Sequence, residues 1–161
     1  MPKLHSDHLT GDLYQRLCGV EADLRADHAI MLCTVDADGR PHPAMLSYFE
    51  VAAPDRHNVR LAVYNDSHTF ANLRDRGKAT LIVVDAGLVC YISGTVDAFV
   101  PAMREAPYNA RLNLRIEQVV LDAASPELEP DAEVTSGITF RPRTAETLAR
   151  AQAVLAELIE G

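Results

Sequence analysis

Six short segments with the pattern of β-strands, separated by turns, constrain the fold of this 161-residue chain more than any other feature. Apolar residues alternate or form short runs in each segment, and Asp38-Gly39 between the first two favours the positive φ angles of a tight turn. The segments are residues 29–35, 43–51, 59–64, 79–84, 88–99 and 112–124. Strands at such short intervals predict an antiparallel sheet.

A helix is predicted ahead of the first strand. Its apolar residues recur at spacings of three and four, which places them on one helix face; they are Leu9, Leu13, Leu17, Val20 and Leu24. Ser6 or Asp7 is the expected N-cap. Residues 1–8 are polar, and we expect them to form a flexible lead-in.

Two further helices are predicted, and together with the strands they indicate the fold class. Residues 66–77 read as a short helix that Asp66 or Ser67 caps and Gly77 ends, and a terminal helix follows Pro142. We therefore predict a mainly β (α+β) protein of one domain over residues 1–161, a closed or half-closed antiparallel barrel with flanking helices and a short crossover helix. An all-β sandwich is the alternative, and it leaves the amphipathic terminal helices without an obvious role.

Composition excludes several classes of partner. The chain has 15 basic and 23 acidic residues and a net charge of −8, so nucleic acid and anionic membrane surfaces are not expected to bind it. Its apolar runs are far shorter than the ~20 residues of a membrane span, and no apolar signal core follows Met1. We expect a soluble, cytoplasmic protein. Three cysteines without a C-x-x-C motif predict free, buried thiols and no metal site.

The segment from Tyr64 to Thr69 is the best candidate for a ligand site. A strand leads there into a helix N-terminus, where unpaired backbone N–H groups and the helix dipole favour an anion. Ser67 and Thr69 add hydroxyl donors, and His68 adds a charge that depends on protonation. These features predict a phosphate cradle. The alternative is that Ser67 only caps the helix.

The order of these segments resembles the pyridoxamine 5′-phosphate oxidase-like family of FMN-binding split barrels. Residues 36–43 are similar to its D-x-G-x-P hairpin, and residues 61–69 are similar to its l-x-f-x-T-x-x-S-x-K segment. Residues 72–74 and 78–81 correspond to the N-L-r-x-x-p-x-v-x-l that follows. The resemblance covers residues 10–100, and it implies a six-stranded split β-barrel.

The resemblance also implies a function. It points to an FMN-dependent oxidoreductase acting on a small-molecule redox substrate, with the flavin held at a homodimer interface to which Met31, Met45 and residues 88–92 supply apolar surface. No catalytic residue can be identified. The implied cofactor-binding residues lie on the second strand and around the helix N-terminus: Ala44, Met45, Leu46, Ser47, Tyr64, Asn65, Ser67, His68, Thr69 and Asn72.

The chain departs from the family where positive charge is expected. True pyridoxamine phosphate oxidases carry arginine or lysine where this chain has His42, Ser47 and the pair His68-Thr69. Their vitamin-specific C-terminal motif is also missing, so we do not expect pyridoxamine phosphate oxidation. The alternative function is a non-catalytic protein of the same fold that binds FMN, haem or a deazaflavin.

Overall fold

A computed structural model describes residues 3–161, and its centre is one curled antiparallel sheet of eight strands, a half-barrel. The strands are β1 (Lys3–Ser6), β2 (Ala29–Val35), β3 (Pro41–Ser47), β4 (Val51–Ala52), β5 (Asn58–Tyr64), β6 (Lys78–Asp85), β7 (Leu88–Val100) and β8 (Asn109–Asp122). Their order is β3-β2-β6-β7-β8-β5-β4, and β1 pairs with β8. The six long strands are the six predicted ones, so the predicted fold class is confirmed.

Two strand predictions need correction. The second predicted strand, 43–51, is divided, because a turn in which the Glu50 N–H donates to the Ser47 carbonyl separates β3 from β4. Within the expected flexible lead-in, Lys3–Ser6 forms β1 and pairs with the far end of β8. Residues 1–2 of that lead-in lie outside the described residues.

The leading helix is shorter than predicted. It is α1 (Gly11–Leu17), and Thr10 rather than Ser6 or Asp7 caps it. Gly19 has a φ of 100°, a conformation that glycine adopts without strain, and the chain turns there into a short 3-10 helix, Ala22–Arg25. Val20 and Leu24 are consequently exposed instead of continuing the apolar face of α1.

The other two helices form where the sequence predicts them. The crossover helix is α2 (His68–Arg76); the Ser67 side chain caps it and Gly77 follows in the left-handed conformation. The terminal helix is α3 (Ala145–Glu160), which Thr144 caps. Val154, Leu155 and Leu158 bury the inner face of α3, and the helix packs against β4 and β5.

The core lies inside the curled sheet. Five of the strands each contribute a fully buried large side chain to it: Leu32, Leu61, Leu81, Ile92 and Leu112. Cys90 is also fully buried, whereas Cys18 and Cys33 are only half-buried, contrary to the expectation that all three thiols are inside. Across residues 3–161, no helix is both long and apolar enough to cross a membrane.

Candidate functional site

A groove of about 530 Å³ opens between β3, the end of β5, the start of α2 and the segment before α3. We call it the Met45 groove. It is lined by Ala44, Met45, Leu46, Glu50, Val63, Tyr64, Ser67, Thr69, Phe140, Arg141 and Arg143. Six of the predicted cofactor-binding residues line it: Ala44, Met45, Leu46, Tyr64, Ser67 and Thr69. The structure therefore brings the second strand and the helix N-terminus together, as the sequence predicts.

Four predicted residues do not line the groove. Ser47 turns inward, and its Oγ donates to Glu50 Oε1 over 2.8 Å. The Asn65 Nδ2 donates to the carbonyls of Pro101 and Pro107. Asn72 is buried and bonds to the hydroxyl of Thr34, while the side chain of His68 is exposed beside that of His42. The contacts of Ser47, Asn65 and Asn72 hold loops and strands in place.

The two hydroxyl residues at the start of α2 have different surroundings. Ser67 Oγ accepts from the Phe70 N–H at 3.1 Å and donates to the Tyr64 carbonyl at 2.6 Å, so Ser67 is the N-cap of α2. Thr69 is 5% exposed, lines the groove and makes no side-chain hydrogen bond among the described residues. The hydroxyl of Thr69 is thus the one available to a ligand.

The positive charge of the groove comes from a segment that the sequence reasoning did not connect to the site. Arg141 and Arg143 line the groove, whereas Arg60 and Arg74 do not. Arg60 donates to the Leu158 carbonyl at the end of α3. Arg74 pairs with Asp75 on the surface.

The segment that carries these arginines is fastened to the beginning of β2. The Ala29 N–H donates to the Ile138 carbonyl over 2.9 Å, and the Phe140 N–H donates to the Asp27 carbonyl over 2.6 Å. Gly137 permits the close approach, because a Cβ there would lie 2.3 Å from the Val84 carbonyl oxygen. The only sequence signal was the basic Arg141-Pro142-Arg143 run, and nothing in its position along the chain links it to β3.

Arg143 is held more firmly than Arg141. Its Nη1 donates to the Ala26 carbonyl at 2.7 Å, and its guanidinium lies 5.2 Å from the centroid of the Phe49 ring. Arg141 is exposed and makes no ion pair among residues 3–161. Arg143 therefore acts as a fixed charge at the inner end of the groove, and Arg141 as a free charge at its rim.

Glu50 contributes a carboxyl group to the groove. Its Oε1 accepts from both the backbone N–H and the hydroxyl of Ser47. Burial raises the pKa of Glu50, and the two Ser47 hydrogen bonds and the charge of Arg143 oppose that rise without cancelling it. The groove lining thus contains two guanidinium groups, those of Arg141 and Arg143, and one carboxyl group.

The sequence of this chain matches a known protein family and a protein of another organism. Residues 20–149 match the family model described as pyridoxamine 5′-phosphate oxidase. The chain is 31% identical over 135 residues to the uncharacterized protein YclD of Bacillus subtilis. This alignment covers 83% of this chain and 84% of that protein.

Two solved structures share the fold. A candidate pyridoxamine 5′-phosphate oxidase from Lactobacillus delbrueckii superposes with a TM-score of 0.57 at 21% identity, over 74% of this chain and 98% of that one. An FMN-binding protein from Syntrophomonas wolfei superposes with a TM-score of 0.56 at 14% identity, over 71% of this chain and 88% of that one.

Proposed function

The chain belongs to the pyridoxamine 5′-phosphate oxidase family, and from that premise we propose that it binds FMN in the Met45 groove and acts as a flavin-dependent oxidoreductase on a small molecule. The observation that carries the proposal is the composition of the groove. Apolar side chains, hydroxyl and backbone donors and two arginines converge there within about 530 Å³, a volume typical of small-molecule sites.

The lining residues fit the chemistry of FMN. The phosphate is a dianion, and the start of α2, the Thr69 hydroxyl and the guanidiniums of Arg141 and Arg143 supply donors and positive charge for it. The flat isoalloxazine needs an apolar surface, which Met45, Val63 and Phe140 provide. The arginines offset the loss of basic residues at the positions where other members of the family carry them.

When bound, FMN supplies hydride transfer at its ring system, so the chain itself does not need a strong acid or base. Arg141 and Arg143 would hold its phosphate, and the Thr69 hydroxyl would donate a hydrogen bond to it. Met45 and Phe140 would give its ring system an apolar contact surface. We assign no catalytic acid or base among the lining residues.

We further propose a homodimer. Met45, Tyr64 and Phe140, at the edge of the groove, are 43%, 62% and 37% exposed, and a second copy that covers them would close the flavin site. Cys90 and Ile92 are buried in the core and cannot contribute to that interface. Of the apolar surface expected from residues 88–92, only the part from the other three residues can take part in it. Light scattering at micromolar concentration is expected to give twice the mass of the chain, and the mass of one chain would contradict the dimer.

The experiment that tests the cofactor is a titration of the purified protein with FMN, followed by flavin absorbance and fluorescence. Arg141→Gln is expected to weaken binding about tenfold, because one charge-assisted contact is worth about 1.5–3 kcal/mol. Arg74→Gln is the matched control, since Arg74 is an exposed arginine of α2 outside the groove.

Three results would count against the proposal. No binding of FMN to the wild type refutes the flavin site. An equal effect of Arg141→Gln and Arg74→Gln refutes its placement in the Met45 groove. A haem band in the purified protein, or binding of a deazaflavin in place of FMN, favours the alternative function.

A further inference from the structure

A second, smaller groove of about 280 Å³ adjoins the Met45 groove. We call it the Asn109 groove. It lies between the β3–β4 turn, the end of β5, the beginning of β8 and the first turns of α3. It is lined by Ser47, Glu50, Tyr64, Tyr108, Asn109, Arg143, Thr147, Arg150, Ala151 and Val154. Glu50, Tyr64 and Arg143 line both grooves, so a molecule in one is adjacent to a molecule in the other.

Asn109 gives this groove an unused polar group. The residue is 4% exposed, and its Oδ1 is buried without a hydrogen-bond partner among the residues that the structure describes. Its backbone is fixed, because its N–H donates to the Ala106 carbonyl and its carbonyl accepts from the Met103 N–H. A buried acceptor without a donor costs stability, and a ligand N–H or O–H group that reached this oxygen from the groove would remove that cost.

The charge of the Asn109 groove is positive. Arg143 and Arg150 both line it. Arg150 has one ion-pair contact, 3.7 Å to Glu146, and both side chains of that pair are largely exposed. Against these two guanidinium groups the lining contains one carboxyl group, that of Glu50. Guanidinium groups bind carboxylates through paired hydrogen bonds, so this charge pattern selects an organic acid.

Two tyrosines supply a wall for a flat molecule. The ring centroids of Tyr64 and Tyr108 are 6.1 Å apart, and the two residues are 62% and 53% exposed. Tyr64 lines both the Asn109 groove and the Met45 groove. A planar acid bound against these rings would lie at the border of the proposed flavin site.

We propose that the Asn109 groove is the substrate subsite, and that it takes a small planar organic acid whose carboxylate binds Arg150, beside the shared Arg143, and whose N–H or O–H donor pairs with Asn109. The claim that this acid is the substrate rests on the proposed flavin function. The claim that the groove binds a carboxylate depends only on residues of the groove itself.

The test is calorimetric titration of the protein with four probes: benzoate, 4-hydroxybenzoate and their two neutral amides. Both acids are expected to bind at least tenfold more tightly than their amides, and 4-hydroxybenzoate more tightly than benzoate. Arg150→Gln is expected to weaken the acids about tenfold and to leave FMN affinity unchanged. Arg141→Gln, which changes the Met45 groove alone, is expected to do the reverse.

Asn109→Leu tests the second contact. It is expected to remove the preference for 4-hydroxybenzoate over benzoate while both acids still bind. Since Arg150 is on the surface, Arg150→Gln keeps the proposal testable if Asn109→Leu does not fold.

The outcomes separate the two proposals. Binding of FMN without binding of any acid, acids no tighter than their amides, or acid affinity unchanged by Arg150→Gln would each overturn the carboxylate subsite. If the acids bind through Arg150 but FMN does not bind, the flavin function fails and the carboxylate site stands.

Discussion

The Met45 groove has two walls that differ in origin and in charge. One wall consists of β3, the end of β5 and the first turn of α2, and it offers apolar side chains, the Thr69 hydroxyl and helix N–H groups. The other wall is the segment from Phe140 to Arg143, which carries both arginines. The first wall has the shape of an anion site without its fixed charge, and the second supplies the charge. The comparison teaches that positive charge can reach a groove from a part of the chain distant from the residues that give the groove its shape.

The second wall is also attached to the barrel less firmly than the first. The first belongs to the sheet and to a helix capped at both ends. The second is held to β2 by a few backbone hydrogen bonds and by the Arg143 contact with Ala26. The largest effects on ligand binding are therefore expected from changes that detach the second wall while the barrel stays folded.

Gly137→Val is expected to have the largest effect on flavin binding. The added side chain would collide with the Val84 carbonyl oxygen, 2.3 Å from the position of the new Cβ, so the segment after it must move away from the barrel. Both arginines then leave the groove. Loss of two charge-assisted contacts of about 1.5–3 kcal/mol each weakens FMN binding about a hundredfold or more. FMN titration measures this, and far-UV circular dichroism verifies the fold.

Gly11→Ala is the control for that variant. A Cβ at Gly11 meets no atom within 4 Å, so the substitution is expected to leave both the fold and FMN affinity unchanged. If the Gly137→Val variant folds and binds FMN as tightly as the wild type does, the second wall takes no part in FMN binding.

The difference between the walls also explains which parts of the site were predictable. Tyr64, Ser67 and Thr69 are nearly consecutive, so a strand pattern followed by a capping residue and helical spacing predicts their shared location. Asn65 and Asn72 were grouped with them because spacing along the chain does not show that their amides donate to the Pro101 carbonyl and the Thr34 hydroxyl. Arg141 and Arg143 reach the groove only through tertiary contacts with β2 and Val84, and no local pattern encodes those contacts.

The fold was more predictable than the site for a related reason. Alternation and turn residues are local signals, and they identified the six long strands and α2. Two of the errors occur where a nonlocal contact decides. Lys3–Ser6 forms a strand because the exposed end of β8 pairs with it, and α1 stops at Leu17 because Gly19 lets the chain turn close to the side chain of Ile159 in α3.

A smaller effect is expected within the first wall, where two neighbouring hydroxyls are predicted to behave oppositely. Thr69→Val keeps the shape of a side chain whose hydroxyl has no partner among the described residues, so it is expected to weaken FMN binding three- to tenfold at unchanged stability. Ser67→Ala removes a cap, so it is expected to cost about 1 kcal/mol, or about 2–4 °C in Tm, with FMN affinity within about twofold of the wild type. FMN titration and thermal unfolding of both variants check this. Similar loss of affinity in both would contradict the division of roles.

The smallest effect is expected at Glu50, where the two walls meet. Burial raises the pKa of this carboxyl above its ordinary value of 4.5. A carboxyl whose pKa is higher in the folded than in the unfolded state stabilises the fold while it is protonated, and that stability is lost as the pH rises from below 4.5 through the folded pKa. Glu50→Gln keeps an oxygen that accepts both Ser47 hydrogen bonds and removes the ionisable proton.

Glu50→Gln is therefore expected to match the wild type in Tm near pH 4 and to exceed it near pH 7, by about 2–4 °C for each kcal/mol gained. Thermal unfolding of both proteins across that range measures the difference. Because a neutral residue 50 leaves the charge of Arg143 undiminished, FMN affinity is expected to hold or to increase. The opposite result, a variant less stable than the wild type at neutral pH and weaker in binding FMN, would mean that an ionised Glu50 holds Arg143 in position. The charge of the second wall would then depend on a carboxylate of the first.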